Sequence, residues 1–380
     1  MLPDLKASGS YLKINTPNID LKTKLGSSSD TSSAKGSPSF NIDHVVYGTI
    51  TASLPVFSGF RTHNGIQSAK YLAQAAKLDA DNDRDAIIQN TIDAYNNLYK
   101  AKKAVELVNS NLAQSKQRVS DFSSLEKNGL LARNDLLKAE LQESNIELSL
   151  LDAENNFKIT NINMNLMLGL PENTELVPDS LIPEAADTRN ITDWELAALQ
   201  NRKDLQAIAY REKAAIAGVK LARADYYPSL ALTGGYIALD VPNFITVTNA
   251  LNIGVGLQYN LGSIWKSGAK VAQAKTHVQQ AQLTEELMND QVRIQINKAY
   301  QDYILSQKKI DVYTKAVEQA TENYKITKNK YDNSLATTTD LLDADLAELQ
   351  AKLNFSFAKA DAVVAYKKLL QTAGGLNTKK

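Results

Sequence analysis

Two kinds of hydrophobic pattern alternate along this chain, one with a period of two and one with helical spacing. Leu5, Ala7, Gly9 and Tyr11 alternate with Lys6, Ser8 and Ser10, which predicts a half-buried strand over about 2–13. A second strand is predicted over 45–57, where Ile50, Ala52, Leu54 and Val56 share one face and Thr49, Thr51 and Ser53 the other. Between them, 15–43 is rich in Ser, Thr, Gly and Asn and carries Pro17 and Pro38, the composition of a polar loop. The pattern then changes. No Gly or Pro interrupts Ile66 to Asn128, and Ile87, Ile88, Tyr95, Leu98, Val105, Val108 and Leu112 recur at helical spacing. This predicts a helix over 60–128, on the order of 90 Å long, which must pack on partner helices along its length. A second helix returns over 134–168 and stops at Gly169-Leu170-Pro171.

After a Pro-containing linker over 170–189, the order repeats. Helices are predicted over 192–225, with Thr192 or Asp193 as the first cap. Strands follow over 228–239 and 251–261. Ile253, Val255, Leu257, Tyr259 and Leu261 form the apolar face of the second, and Gly254, Gly256, Gln258 and Asn260 the polar one. Helices over 266–331 and 340–372 end the chain. The break between them, at Asp332, Asn333, Ser334 and Thr337–Thr339, reads as a tight turn with Asp340 in the first turn of the returning helix. This turn has an echo. Asp135-Leu136-Leu137 lies 205 positions before Asp340-Leu341-Leu342, and the same offset pairs Ala94-Tyr95 with Ala299-Tyr300 and Gly169 with Gly374. One structural half is therefore written twice, as 1–189 and 190–380.

Four strands cannot close a barrel, which needs about eight or more. An open sheet with one apolar face leaves two bare edges. The strands thus call for an oligomer, a dimer supplying eight strands and a trimer twelve. Composition narrows the classes. With 42 basic and 42 acidic residues and no basic run, a nucleic-acid partner is not expected. Cysteine is absent, and the three His residues have no metal-ligand spacing. No nucleophile–base pair, phosphate loop or metal cluster suggests an enzyme or a cofactor. No apolar run is long enough for a membrane-spanning helix, but a membrane β-barrel remains open.

Several motifs, in order, resemble the TolC-like outer-membrane efflux protein family. Leu54–Gly59 and Asn260–Gly268 resemble its strand-to-helix junctions, and Tyr226–Leu230 its helix-to-strand entry. Gly129-Leu130-Leu131 with Asp135, and Tyr331 with Asp340–Ala344, resemble its two periplasmic tips. The resemblance implies a mainly α protein with membrane β: long antiparallel coiled-coil helices forming an α-barrel, and four strands per chain in a trimeric twelve-stranded β-barrel. It implies an outer-membrane exit duct for a tripartite efflux or type I secretion system. The partners implied are a periplasmic adaptor, an inner-membrane transporter and outer-membrane lipid. A soluble or periplasmic coiled-coil scaffold is the competing reading. Compared with the family, Met1 falls almost at the first strand, so the signal peptide and the first helices of the first half are expected to be missing.

The resemblance also implies sites. Asp340 and Asp343 would ring the entrance in a trimer, where mutual repulsion can raise carboxylate pKa values; without it they read as ordinary first-turn acids. Tyr331 and Asp135 match a hydrogen-bonded latch that holds the entrance closed, with Ala336 where some members carry Arg. Gly129, Leu130, Leu131, Ser334, Leu335 and Ala336 would dock an adaptor. Tyr47, Phe57, Phe60, Tyr226, Tyr227, Tyr259 and Trp265 would form aromatic belts at the membrane boundaries.

Overall fold

The computed structural model describes residues 3–15, 42–179, 187–242 and 245–376. The expected polar loop over 15–43 lies almost wholly outside these residues, as does the middle of the 170–189 linker. The described residues form strands β1 (Asp4–Lys13), β2 (His44–Ser58), β3 (Ser229–Val241) and β4 (Ile245–Gln258). The helices are α1 (Arg61–Lys127), α2 (Arg133–Leu168), α3 (Ile191–Asn201), α4 (Lys203–Arg223), α5 (Ser263–Asp332) and α6 (Thr338–Thr372). They fall into two compact units. One comprises Met1–Leu72 with Arg211–Ala281, the other Ala73–Tyr210 with Gln282–Lys380.

The first unit holds the sheet, antiparallel throughout in the order β1-β2-β3-β4. Its register sorts the side chains into two faces. Leu5, Ala52, Gly234 and Ile253 lie in one row, and Ala7, Ile50, Tyr236 and Leu251 in the next apolar row. The intervening row is Lys6, Thr51, Gly235 and Asn252, on the opposite face. On the polar face the hydroxyls of Ser8 and Thr49 share a hydrogen bond of 2.8 Å. The apolar face is uncovered: along β4, Leu251, Ile253, Val255 and Leu257 are 69–89% exposed. Removing one such side chain from water is worth about 1.5–3 kcal/mol, so this face needs an apolar medium or partner.

β4 differs from its predicted span of 251–261. It starts earlier because pairing with β3 continues across an irregularity at Ile237–Leu239 as far as Val241 opposite Ile245. It ends earlier because Asn260 turns the chain. Its side-chain oxygen accepts from the Gly262 amide at 3.0 Å, and its carbonyl accepts from the Ser263 amide at 2.9 Å. Tyr259 and Leu261 therefore lie in the turn rather than on the strand's apolar face. In β2 a register shift between Pro55 and Phe57 sets Phe57 opposite Leu230 on the apolar side.

The second unit is helical. Val108 and Leu112 of α1 pack on Ile146 of α2. The largest core joins Trp194 and Ala198 of α3 to Leu205, to Val292, Ile296 and Tyr303 of α5, and to Leu369 of α6. The cap of α3 is Asn190 rather than Thr192 or Asp193. Its side chain accepts from the Asp193 amide, and Asp193 accepts in return from the Asn190 amide, because Asp193 stands at the third helical position where a carboxylate can reach back. Four helix ends share one pattern: a left-handed residue at Gly129, Gly169, Ser334 and Gly374, whose successor donates to the carbonyl five residues back. Gly129 and Ser334, like Gly169 and Gly374, are 205 positions apart.

Candidate functional site

The residues singled out at the two tips come together around one small core. Phe122 from α1, Leu136 and Ala139 from α2, and Leu341 from α6 are buried against each other, flanked by Val119, Leu131, Tyr324 and Tyr331. Both turns project apolar residues outward, Leu130 at 74% and Leu335 at 77% exposure. Gly129 and Ser334 make these turns possible by taking positive φ, 71° and 60°. A side chain at Gly129 would meet nothing within 4 Å, so the turn's surface is open there. Leu131 and Ala336 are half-buried behind it.

Asp340 and Asp343 lie on the exposed side of α6, while Leu341, Leu342, Ala344 and Asp345 face inward. The Asp340 carboxylate closes a capping box. It accepts from the Thr337 hydroxyl at 2.7 Å and the Thr337 amide at 2.9 Å, and the Asp340 amide donates back to the Thr337 hydroxyl at 3.2 Å. The Thr337 hydroxyl and amide hold this carboxyl below its ordinary range. Within one chain the shift is therefore downward, opposite to that expected from a crowded ring, because the cap stabilises the charged form.

The Tyr331–Asp135 latch is not formed within the chain. The Tyr331 ring stacks on Phe122, with centroids 5.6 Å apart. Asp135 accepts from Lys138 at 3.3 Å, and Lys138 also reaches the Thr339 hydroxyl at 3.3 Å. The physical reason lies at the cap of α2. Ala132 occupies the position that Thr337 holds in α6 and supplies no side-chain bond. Asp135 is thus left to a neighbouring lysine one turn on.

Just behind this core lies a polar tie that the sequence reading missed. Asp345 of α6 is buried and accepts at one oxygen from Arg118 of α1 at 3.0 Å and from Asn111 at 3.3 Å. Arg118 also reaches the Tyr324 hydroxyl of α5 at 3.5 Å. Burial works against the Arg118 charge. The hydrogen bond and charge of Asp345 outweigh it and leave the guanidinium pKa raised. Spacing carried the signal: Ser115, Arg118 and Phe122 recur on one buried stripe of α1, and Leu341, Asp345 and Glu348 on one of α6.

In the sheet-bearing unit, six of the seven expected belt aromatics gather where strands meet helices. Phe57 sits edge-on to Phe60 at 5.6 Å. Tyr226 ends the 3-10 turn Ala224–Tyr226, and Tyr227 follows it. Tyr259 follows β4, and Trp265, 77% exposed, lies in the first turn of α5. Tyr47 differs. It pairs with Ser10 and Leu239 far from the junction, on the face that carries Thr49 and Thr51. The alternation of β2 puts it opposite the apolar side, so it does not share the others' band.

The junction itself is tightly built. Gly59 and Phe60 both take positive φ, and a Cβ on Gly59 would lie 2.7 Å from the Ala224 carbonyl oxygen. Asp225 pairs with Arg61 at the start of α1 and with Lys270 of α5, the latter at 2.7 Å. Lys270 and then Arg61 hold the Asp225 carboxyl below its usual range.

Among the described residues no helix is long and apolar enough to cross a membrane, and no group of His, Asp and Glu is arranged to hold a metal ion. The family described as outer membrane efflux protein matches residues 13–170 and 196–375. Outer membrane efflux protein BepC of Brucella suis biovar 1 (strain 1330) is 23% identical over 339 residues, covering 87% of this chain and 73% of its own length. The crystal structure of the outer membrane protein VceC of Vibrio cholerae is similar with a TM-score of 0.77 at 19% identity, over 98% of this chain and 87% of that one. The Campylobacter jejuni CmeC outer membrane channel is similar with a TM-score of 0.76 at 17% identity, over 100% of this chain and 79% of that one.

Proposed function

The chain belongs to the outer membrane efflux protein family, and from that membership we propose that it works as a homotrimeric exit duct, coupled by a periplasmic adaptor protein to an inner-membrane transporter. It is an outer-membrane channel protein with a periplasmic helical domain. The observation that carries a closed oligomer is the sheet, and family membership supplies the number of three copies. Its apolar face is continuous across four strands and uncovered, and β1 and β4 each leave an edge without a partner strand among the described residues. Pairing β1 of one copy with β4 of the next closes twelve strands in a trimer, turns the apolar face to lipid and leaves Thr51, Thr233 and Asn252 toward the lumen. The aromatics at the junction then lie at the periplasmic boundary.

The tips take the other roles. Asp340 and Asp343 of three chains bring six carboxylates near one axis and favour cations at the entrance. Leu130 and Leu335, carried on turns with little around them, offer apolar contacts to an adaptor together with Gly129, Leu131, Ser334 and Ala336. Conduction is passive, with no chemical step, and the partner transporter supplies the energy. The duplicated turns at Gly129 and Ser334 support the division into halves 1–189 and 190–380. A soluble coiled-coil scaffold would leave the uncovered sheet face without a purpose.

Cysteine cross-linking tests the trimer. The chain has no native cysteine, so pairs introduced in β1 and β4, such as Ala7→Cys with residues from Leu251 to Val255 in turn, report only on the engineered contact. Covalent trimers are expected at one register of the scan. Monomers alone at every register would contradict the closed barrel.

A further inference from the structure

The polar face of the sheet ends in a cleft of about 480 Å³ at the junction with the helices. Ser58, Ser229 and Gln258 form its strand wall. They pair in one register row on the side that carries Thr51, Thr233 and Asn252, so the cleft opens away from the apolar face. Its other wall carries Arg61, Lys266 and Lys270 against a single carboxylate, Asp225. Two positive charges are in excess. Asp225 pairs with Arg61 and Lys270 and holds both heads at the cleft. Lys266 is exposed and makes no ion pair among the described residues. The side-chain amides of Gln258 and Asn260 add neutral hydrogen-bonding groups around the same space, whereas the Ser263 hydroxyl is already committed to the Asp225 carbonyl at 2.8 Å.

We propose that this cleft binds the phosphate group of a small solute on the lumenal side of the strand–helix junction, an assignment that rests on the duct reading for what "lumenal" means but not for the binding itself. The charge balance selects the ligand class. A phosphate monoester carries about −1.5 to −2 at pH 7, which matches the excess, whereas a single carboxylate would leave one cation unanswered. A guanidinium and two ammonium groups supply the fork and point-charge donors that phosphate oxygens accept. Asp225, kept ionised by its two cations, fixes their positions without cancelling the site. Lys266 is then the group with most to gain, since it has no competing partner. In a trimer the cleft occurs three times around the lumen. The three clefts together form a basic collar.

Calorimetric titration of the purified protein in detergent with inorganic phosphate, in a phosphate-free buffer, tests the site. Saturable binding of one phosphate per chain is expected. Lys266→Gln should weaken it about tenfold, the loss of one charge-assisted hydrogen bond. Lys270→Gln should weaken it at least as much, although it also loosens Asp225. Lys266→Gln is the decisive variant because Lys266 is not tied into the junction, and its helical signal should be unchanged. Lys315→Gln, far along α5, should bind as the unaltered protein does. No saturable binding, or equal affinity in Lys266→Gln, would overturn the site. Titration in detergent requires no pore. Absent binding with normal channel openings removes the collar alone, and binding without openings, even with the Arg118–Asp345 tie broken, keeps the site and removes the duct.

Discussion

Replacing Arg118 with methionine leaves the Asp345 carboxylate buried without its cation. Arg118 and Asp345 side chains are 9% and 1% exposed. Once Arg118 is gone, one Asp345 oxygen keeps only Asn111 at 3.3 Å, and the other has no hydrogen-bond partner to begin with. Removing one member of a buried pair costs about 3–5 kcal/mol, because the remaining charge is desolvated and unmatched. Asp345→Leu, which strands the guanidinium instead, should cost a similar amount, moderated by the Tyr324 hydroxyl. The double variant Arg118→Met/Asp345→Leu removes both charges and should recover most of the loss, since apolar replacement of a buried pair is often neutral or stabilising. The assay is a double-mutant cycle by urea unfolding of the detergent-solubilised protein, followed by helical circular dichroism. Because the tie joins α1 to α5 and α6 beside the Phe122–Leu341 core, the single variants should also loosen the tips and raise channel open probability. Single-variant losses below about 1 kcal/mol, or a double variant as unstable as the two singles combined, would show that the pair is not a buried, charge-coupled tie.

Other outcomes follow from local geometry. Gly374→Ala should destabilise by several kcal/mol, since its Cβ would lie 2.8 Å from the Asn201 carbonyl carbon. Gly129→Ala, at almost the same φ but in open space, should cost only about 1 kcal/mol; thermal unfolding distinguishes them. Thr337→Ala removes the cap of α6 and should cost about 0.5–2 kcal/mol in the same measurement. Asp204, whose burial is outweighed by the hydrogen bonds and charge of Arg202, has a lowered pKa. Its contribution to stability is present above the unfolded carboxyl value of about 3.9 and is lost as pH falls through the lower folded value. Urea unfolding between about pH 5 and 2 should therefore be less pH-dependent in Asp204→Asn. Leu130→Asp with Leu335→Asp should abolish efflux from cells while leaving the cross-linked trimer intact, and normal efflux would remove the docking role of the tips.

The elements were legible where one periodicity runs unbroken. Long stretches without Gly or Pro fixed α1 and α5, and strict alternation fixed the apolar faces of β2 and β4. The ends of β4 were not legible, because pairing with β3 rather than its own alternation carries it back to Ile245. The tips were readable as turns from Asn128-Gly129 and Asn333-Ser334, and the 205-residue offset extends to their backbone conformation. What the sequence hid were contacts between helices. Asp345 looks like one more acid after Asp340 and Asp343. Only its place on the Leu341–Glu348 stripe turns it toward Arg118, which lies 227 residues away. Likewise the ring of Tyr331 stacks on Phe122, a contact 209 residues apart in sequence that no local pattern marks. The Arg61–Asp225–Lys270 cluster joins three elements distant in sequence and left no local motif to read.

Single-channel conductance of the purified protein in a planar bilayer under a salt gradient tests whether the chain forms a duct. Discrete, cation-selective openings are expected, with selectivity reduced in Asp340→Asn/Asp343→Asn. A well-folded trimer that produces no openings, even with the Arg118–Asp345 tie broken, would contradict a duct; openings whose selectivity ignores both aspartates would contradict an entrance at the tips.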